Sequence, residues 1–182
     1  MPPDISGLRY VADYLDPQTH DRLLAEVDVH PWLTSVDHRV QVYGYRYNRS
    51  TEAAFRIGDI PSWAHDVAVR LWRDGFLPKV ADQIVVNDYP TGAGLFAHVD
   101  QAVFGDTVAS VSLGSTCIMR FSDSRSERIE DLLLEPRSVL ILSGEARWDW
   151  KHEIPARAVD TWQQHDRPRS RRVSLTFRVM PD

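Results

Sequence analysis

The chain has 182 residues, 43% of them hydrophobic, the length and apolar content expected of one globular domain with a substantial core rather than of two. A single cysteine, Cys117, excludes an intrachain disulfide, a cysteine-ligated zinc site and an iron–sulfur cluster, and agrees with a reducing compartment. The formal charge of −5 argues against broad nucleic-acid binding, which leaves a basic footprint, but permits a local basic rim. No stretch approaches the ~20 apolar residues of a membrane span, and the opening MPPDISGLRY lacks a basic-then-apolar leader pattern. The expectation is a cytoplasmic protein without membrane contact, monomeric, in which residues 1–182 form one domain.

In chain order, the first predicted element is a short helix in DPQTHDRLLAEVD, with Asp16 as N-cap, Pro17 at the first position and Leu23, Leu24 and Val27 as an apolar stripe. A second helix starts at Pro61, carries Trp63, Val67 and Leu71 four apart with Ala64, Ala68 and Trp72 beside them, and stops at Gly75. It should pack against a sheet. From Gln83 onward short runs read as strands: QIVVNDY, LFAHVD, TVASVSLG, TCIMRF, DLLLE, SVLILSG, RWDWKHEI and RRVSLTFRVM. This order predicts a mostly β fold with flanking helices, a double-sheet jelly roll over residues 83–180 braced by helices on one outer face. Residues 38–58, 121–130 and 155–170 read as the least regular parts.

The run LFAHVD closes on an imidazole and a carboxylate two positions apart. In a strand His98 and Asp100 share a face while Ala97 and Val99 take the other. A surface pair beside a turn would look the same, but the two are also two thirds of a facial triad for non-haem Fe(II). Of the remaining histidines, His20 and His65 fall on helices, where a solvated polar face is the default, and His30, His38 and His165 sit in or beside loops. His152 ends RWDWKH, in which alternation would put Trp148, Trp150 and His152 on one strand face, as ligand or as core histidine. Near the C-terminus Arg172, Ser174, Thr176 and Arg178 alternate with Val173, Leu175 and Phe177. If that polar face and the one bearing Asn87 and Tyr89 turn into a barrel mouth, two guanidinium forks, an amide and a phenol line a pocket suited to a dicarboxylate.

These motifs together resemble the AlkB family of Fe(II)/2-oxoglutarate-dependent dioxygenases: N-x-Y at Asn87 and Tyr89, H-x-D at His98 and Asp100, the block SGEARWDWKHEIP, and R-x-x-x-x-x-R at Arg172 and Arg178, over roughly residues 38–180. VASVSLGSTCIMRF and RVQVYGYRY are most similar to the AlkB-type domain of the tRNA wobble-uridine hydroxylases. The resemblance implies a double-stranded β-helix with Fe(II) on His98, Asp100 and His152 and open positions for 2-oxoglutarate and O₂. It further implies that Arg172 pairs with the distal carboxylate of 2-oxoglutarate, supported by Tyr89 and Ser174, with Asn87 and Arg178 near the keto-acid end and the iron. The family often has a small amide residue where Ser174 stands.

The implied activity is oxidation of an alkyl group on a nucleobase, in DNA repair or tRNA modification, with nucleic acid as the partner. Residues 38–58 would form the substrate lid, where Tyr43, Tyr45 and Tyr47 supply rings to stack on a base and Arg46 and Arg49 meet phosphate. A core role for the tyrosines fits the same pattern. Arg120, Arg125, Arg128, Arg137, Arg147, Arg167 and Arg169 could complete a basic rim. A hydroxylase of protein or a small molecule is the first alternative, and a non-catalytic jelly-roll binding module the second.

Overall fold

A computed structural model describes residues 2–34 and 38–181. In chain order its elements are β1 (Leu8–Val11), α1 (Pro17–Val29), β2 (Leu33–Thr34), β3 (Arg39–Tyr43), β4 (Tyr45–Asn48), β5 (Ala53–Arg56), α2 (Ser62–Arg73) and β6 (Gln83–Tyr89). Then come β7 (Leu95–His98), β8 (Val108–Gly114), β9 (Cys117–Asp123), β10 (Ile129–Leu134), β11 (Val139–Leu142), α3 (Gly144–Trp148), β12 (Trp150–Ile154), β13 (Val159–Trp162), β14 (His165–Pro168) and β15 (Arg172–Arg178).

The strands form a larger sheet in the order β1-β11-β8-β15-β6-β3-β2 and a smaller one in the order β10-β9-β12-β7. The segments expected to be strands from Gln83 onward supply β6, β8, β11 and β15 to the larger sheet and β7, β9, β10 and β12 to the smaller. The chain therefore passes back and forth between two antiparallel layers, the double-stranded β-helix expected from the pattern. No helix among the described residues is long and apolar enough to cross a membrane.

Period-two alternation on the larger sheet creates two environments. Ile84 and Val86 of β6, Ala109, Val111 and Leu113 of β8, and Val173, Leu175 and Phe177 of β15 face the helices. There they meet Leu23 and Val27 of α1 and Trp63, Val67 and Leu71 of α2, all buried. Each such buried side chain contributes about 1.5–3 kcal/mol, so the helices are held by this face. α1 begins where its cap chemistry dictates: the Asp16 carboxylate accepts the Thr19 N–H at 2.8 Å and Pro17 opens the first turn. A second cluster fills the space between the sheets, with Tyr89, Met119, Phe121, Leu140, Trp150 and Ile154 among its members.

Four expectations need correction. Trp72 points to solvent at 46% exposure, because the α2 face that meets the sheet is complete with Trp63, Ala64, Val67, Ala68 and Leu71. Residues 38–58 are not irregular: β3 is a full member of the larger sheet, paired with β6 from Arg39↔Asp88 to Tyr43↔Ile84, and only β4 and β5 form a separate hairpin. Gly44 makes the corner between them at φ 77°, where a Cβ would lie 1.8 Å from the Asp82 carbonyl oxygen. Residues 155–170 likewise contain the hairpin β13–β14. Finally, RWDWKH is not one strand: Gly144 turns the chain at φ 48°, Glu145–Trp148 close a helical turn, and the strand begins only at Trp150. Trp148 is therefore exposed while Trp150 and His152 are buried.

Candidate active site

β15 lies between β6 and β8 and brings the polar faces of three strands into register. Arg172 stands opposite Tyr89 and Gly114, Ser174 opposite Asn87 and Ser112, Thr176 opposite Val85 and Ser110, and Arg178 opposite Gln83 and Val108. This polar face is turned away from the surface: Arg172, Ser174, Thr176 and Arg178 are all buried. It lines a cavity of about 280 Å³ between the sheets, together with Asn87, Tyr89, His98, Asp100 and His152.

Arg172 is 3% exposed and has no carboxylate partner among the described residues. Its Nη2 donates to Ser112 Oγ at 2.9 Å, and its guanidinium lies 5.4 Å from the Tyr89 ring centroid, but Nε and Nη1 have no acceptor. A buried guanidinium with two idle donors, on a residue that lines the cavity, has the chemistry to fit an anion with two oxygens. Burial pushes the Tyr89 phenol up to about 12, so at neutral pH it is a neutral hydroxyl able to donate. Asn87 accepts at Oδ1 from His38 Nε2 over 3.1 Å, and the His38 ring stacks on Tyr89 with centroids 4.9 Å apart. His38 thus backs the pocket wall, a role its loop position did not suggest.

His98 and His152 face each other across the β7–β12 ladder, with ring centroids 4.4 Å apart. One ligand atom from each, with a carboxylate oxygen of Asp100, all lie within 4.8 Å of one another. Strict alternation would not have placed Leu95 and His98 on one face, yet both line the cavity; the ladder slips between Ile154↔Leu95 and His152↔His98, leaving Phe96 and Ala97 outside. The same irregularity brings the Phe96 carbonyl oxygen 2.7 Å from His98 Nδ1. With the proton on Nδ1 donated there, the Nε2 lone pair is free, as in the outer-shell support usual for metal-binding histidines.

The charges in the cavity are set by proximity. Burial disfavours the ionised form of Asp100, but Arg178 and the two imidazoles outweigh it and hold the carboxyl well below the usual carboxylate range; Arg178 Nη2 donates to Oδ1. Burial pushes His152 down to about 4, against the pull of Asp100, so at neutral pH its imidazole is neutral and able to ligate. Two imidazoles and one carboxylate gathered in one cavity make a donor set that fits a divalent first-row metal with open positions, Fe(II) above all. The idle donors of Arg172, in the same cavity, fit the far carboxylate of a chelating keto acid.

The residues expected to bind substrate divide. Arg46, Tyr47 and Arg49 line the cavity, and neither arginine has a carboxylate partner among the described residues. Tyr45 does not line it; its carbonyl oxygen accepts from Gln83 Nε2 at 2.8 Å. Tyr43 lies on the helix face of β3, with its ring centroid 5.8 Å from that of Trp63 and its hydroxyl donating to Gln41. It packs on the helix side of the sheet and does not line the cavity.

The basic rim does not form as expected. Arg120 pairs with Asp131, Arg125 with Asp123, Glu145 and Asp149, Arg128 with Glu130, Arg137 with Asp13 and Arg169 with the buried Asp160. Arg147 is buried, and of the group only Arg167 is exposed without such a partner among the described residues. His20 is also no free surface residue: its Nε2 accepts the Gly114 N–H at 3.0 Å, tying α1 to the end of β8.

Comparison with known proteins agrees with this geometry. The family model of the 2OG-Fe(II) oxygenase superfamily matches residues 17–178. "Alkylated DNA repair protein ALKBH8 homolog" of Arabidopsis thaliana is 35% identical over 96% of this chain and 58% of its own length. "tRNA (carboxymethyluridine(34)-5-O)-methyltransferase ALKBH8" of Macaca fascicularis is 29% identical over 93% of this chain but only 27% of its own length. The chain thus spans a little over half of the first of these relatives and about a quarter of the second. Among solved structures, that of OsALKBH1 superposes with a TM-score of 0.73 at 18% identity, covering 95% of this chain and 96% of the other. With the extent of that family match and a cavity whose donors suit both the metal and the keto acid, the chain belongs to the 2OG-Fe(II) oxygenase superfamily, with Fe(II) as cofactor and 2-oxoglutarate and O₂ as co-substrates.

Proposed function

We propose that the protein oxidises an alkyl group on a nucleobase, as an AlkB-type dioxygenase formed by residues 1–182 as one domain, acting in the cytoplasm as a monomer in DNA repair or tRNA modification. The observation that carries this reading is that the His98, Asp100 and His152 cluster shares its cavity with Tyr47 and with Arg46 and Arg49, two arginines that have no carboxylate partner among the described residues. His98, Asp100 and His152 hold Fe(II). Arg172 grips the distal carboxylate of 2-oxoglutarate, with Tyr89 donating beside it and Ser174 next on the same strand face. Asn87 and Arg178 serve the keto-acid end, Arg178 also keeping Asp100 ionised. When bound, Fe(II) with 2-oxoglutarate and O₂ supplies an oxidant that replaces hydrogen on carbon by hydroxyl and leaves succinate and CO₂.

Tyr47 stacks on the base, and Arg46 and Arg49 meet the flanking phosphates. The burial of the polar residues around the iron site excludes bulk water from the reacting carbon. A hydroxyl placed on an N-methyl carbon gives a hemiaminal that loses formaldehyde, whereas one placed on a carbon remote from nitrogen stays. The relatives' names, a DNA repair protein and a tRNA methyltransferase, support a nucleic-acid substrate.

The test incubates the protein with Fe(II), 2-oxoglutarate and O₂ against total tRNA and alkylated single-stranded DNA, followed by mass spectrometry of nucleosides and succinate. The expected result is a metal-dependent mass change in one modified nucleoside, absent in His98→Ala and His152→Ala. Succinate formed without any nucleoside change, even with both nucleic acids in excess, would move the assignment to a protein or small-molecule hydroxylase. Absence of succinate from the wild type would leave a binding module.

A further inference from the structure

Arg147 is 2% exposed, and no carboxylate pairs with it among the described residues. A buried cation is costly unless its donors are met. Here they are met by backbone alone: Nη1 donates to the Asp100 carbonyl oxygen at 3.0 Å and Nη2 to that of Gln101 at 2.9 Å. Longer contacts of 3.4 Å reach the carbonyls of Phe104 and Gly105. The Trp148 ring covers the guanidinium at 4.1 Å.

The turn that Arg147 gathers is also closed from within. The Phe104 N–H donates to the Gln101 carbonyl, and the Gly105 N–H donates to the Val179 carbonyl at 2.8 Å, just past the end of β15. Asp100 is therefore held at both ends, its carboxylate by Arg178 and its backbone by Arg147. A guanidinium suits this task because its fixed planar fork presents donors in several directions at once, which an ammonium cannot copy.

We propose that Arg147 is a positioning residue for the metal site: by collecting the carbonyls of residues 100–105 around one buried guanidinium, it fixes Asp100 in its ligating position before a metal arrives. The inference rests on the ligand roles proposed above. Arg147 precedes β12 in the same block that carries His152, so one short segment delivers one ligand directly and sets another through the backbone.

The test uses the full chain and Mn(II) as a redox-inert probe, with affinity read by the loss of the free-ion electron paramagnetic resonance signal at a temperature where each variant is fully folded. Arg147→Gln is expected to raise the Mn(II) dissociation constant about ten-fold or more, the range seen when outer-shell partners of metal ligands are removed. Arg147→Lys, which keeps the charge but not the fork, should recover only part of the loss. A purely structural role predicts a lower melting temperature with unchanged Mn(II) affinity in the folded protein, and that result would overturn the proposal. Hydrogen exchange on metal-free wild type provides a reading that no variant's folding affects: the Phe104 and Gly105 amides should be protected like those of β15, and exchange at open-loop rates overturns the proposal too. Failure of the wild type to bind Mn(II) would instead refute the ligand assignment, a distinct outcome from an Arg147→Gln protein that binds it normally.

Discussion

Replacing Arg172 by Met should separate the stability of the empty protein from that of the co-substrate complex. In the wild type this guanidinium is buried with Nε and Nη1 unmet, and each unmet donor costs about 1–3 kcal/mol. Methionine removes that cost and fills much of the same volume. What is lost is the hydrogen bond to Ser112 Oγ, about 1.5–3 kcal/mol for a charged donor, and the contact with the Tyr89 ring, roughly 1 kcal/mol. The terms nearly offset, so without ligands Arg172→Met should be about as stable as the wild type or slightly more so. With Mn(II) in place of iron, 2-oxoglutarate at roughly a hundred times its dissociation constant stabilises the wild type by about 2.7 kcal/mol. For a chain of this size that is a rise in melting temperature of roughly 5–11 °C. Losing a charge-assisted grip of about 1.5–3 kcal/mol raises the dissociation constant roughly 10- to 100-fold. At the same concentration the variant should then gain only about 0.4–1.4 kcal/mol. Thermal unfolding with and without 2-oxoglutarate measures all four states. A variant clearly less stable than wild type when empty, yet retaining the full ligand-induced rise, would show that Arg172 is a structural cation and that the distal carboxylate sits elsewhere.

The remaining predictions concern acid stability and the cavity mouth. Burial opposes the charge of Asp160, but donors from Arg169, the Ile118 N–H and Arg157 outweigh it and hold the carboxyl below its ordinary value. The stability from this lowered carboxyl is full above the unfolded value near 3.9 and is lost as pH falls through the folded one. Asp160→Asn should therefore be markedly destabilised at neutral pH, and its melting temperature should fall less steeply than the wild type's below about pH 4; parallel curves in calorimetry would contradict this. Tyr43→Ala should lower stability by roughly 2 kcal/mol through the lost contact with Trp63 and leave oligonucleotide affinity intact. Tyr47→Ala should do the reverse, weakening binding of a single-stranded oligonucleotide about five-fold or more while unfolding normally; a chemical denaturation series and a fluorescence titration on both variants decide, and an exchange of the two outcomes would refute the division.

What could be read from the sequence followed from period two. Alternation along β15 and β6 separates Arg172, Ser174, Thr176 and Arg178 from Val173, Leu175 and Phe177, and that parity survives folding because both faces are buried against different neighbours. His98 and Asp100 were legible as a pair, but not the slip of register that turns Leu95 and His98 to the same side, since a bulge changes no residue type. Alternation misled at Trp148 because W-D-W-K-H mimics a strand, while the helical turn depends on the reversal at Gly144. The basic rim was overread because the partners that neutralise it come from far along the chain, as Asp13 does for Arg137. Arg147 looked like a surface cation for a different reason: its acceptors are carbonyl oxygens, which every residue has and no sequence marks.

The hairpin β4–β5 pairs with itself and joins the barrel through the tight corner at Gly44 on one side, with α2 following on the other. Its strands contribute no rung to either main sheet, and the ladders that carry His98, His152 and Arg172 close without it, as does the turn after β7 in which Arg147 and Arg178 hold Asp100. On the reading proposed above, in which Arg46, Tyr47 and Arg49 meet the substrate, target choice and oxidative chemistry are modular. Insertions, deletions or wholesale replacement between Gly44 and Pro61 can retune which molecule is admitted without re-registering the strands that hold the reactive centre. For the engineer, this is the segment in which to build a library: a foreign hairpin grafted there should leave uncoupled succinate formation in place while redirecting the oxidation.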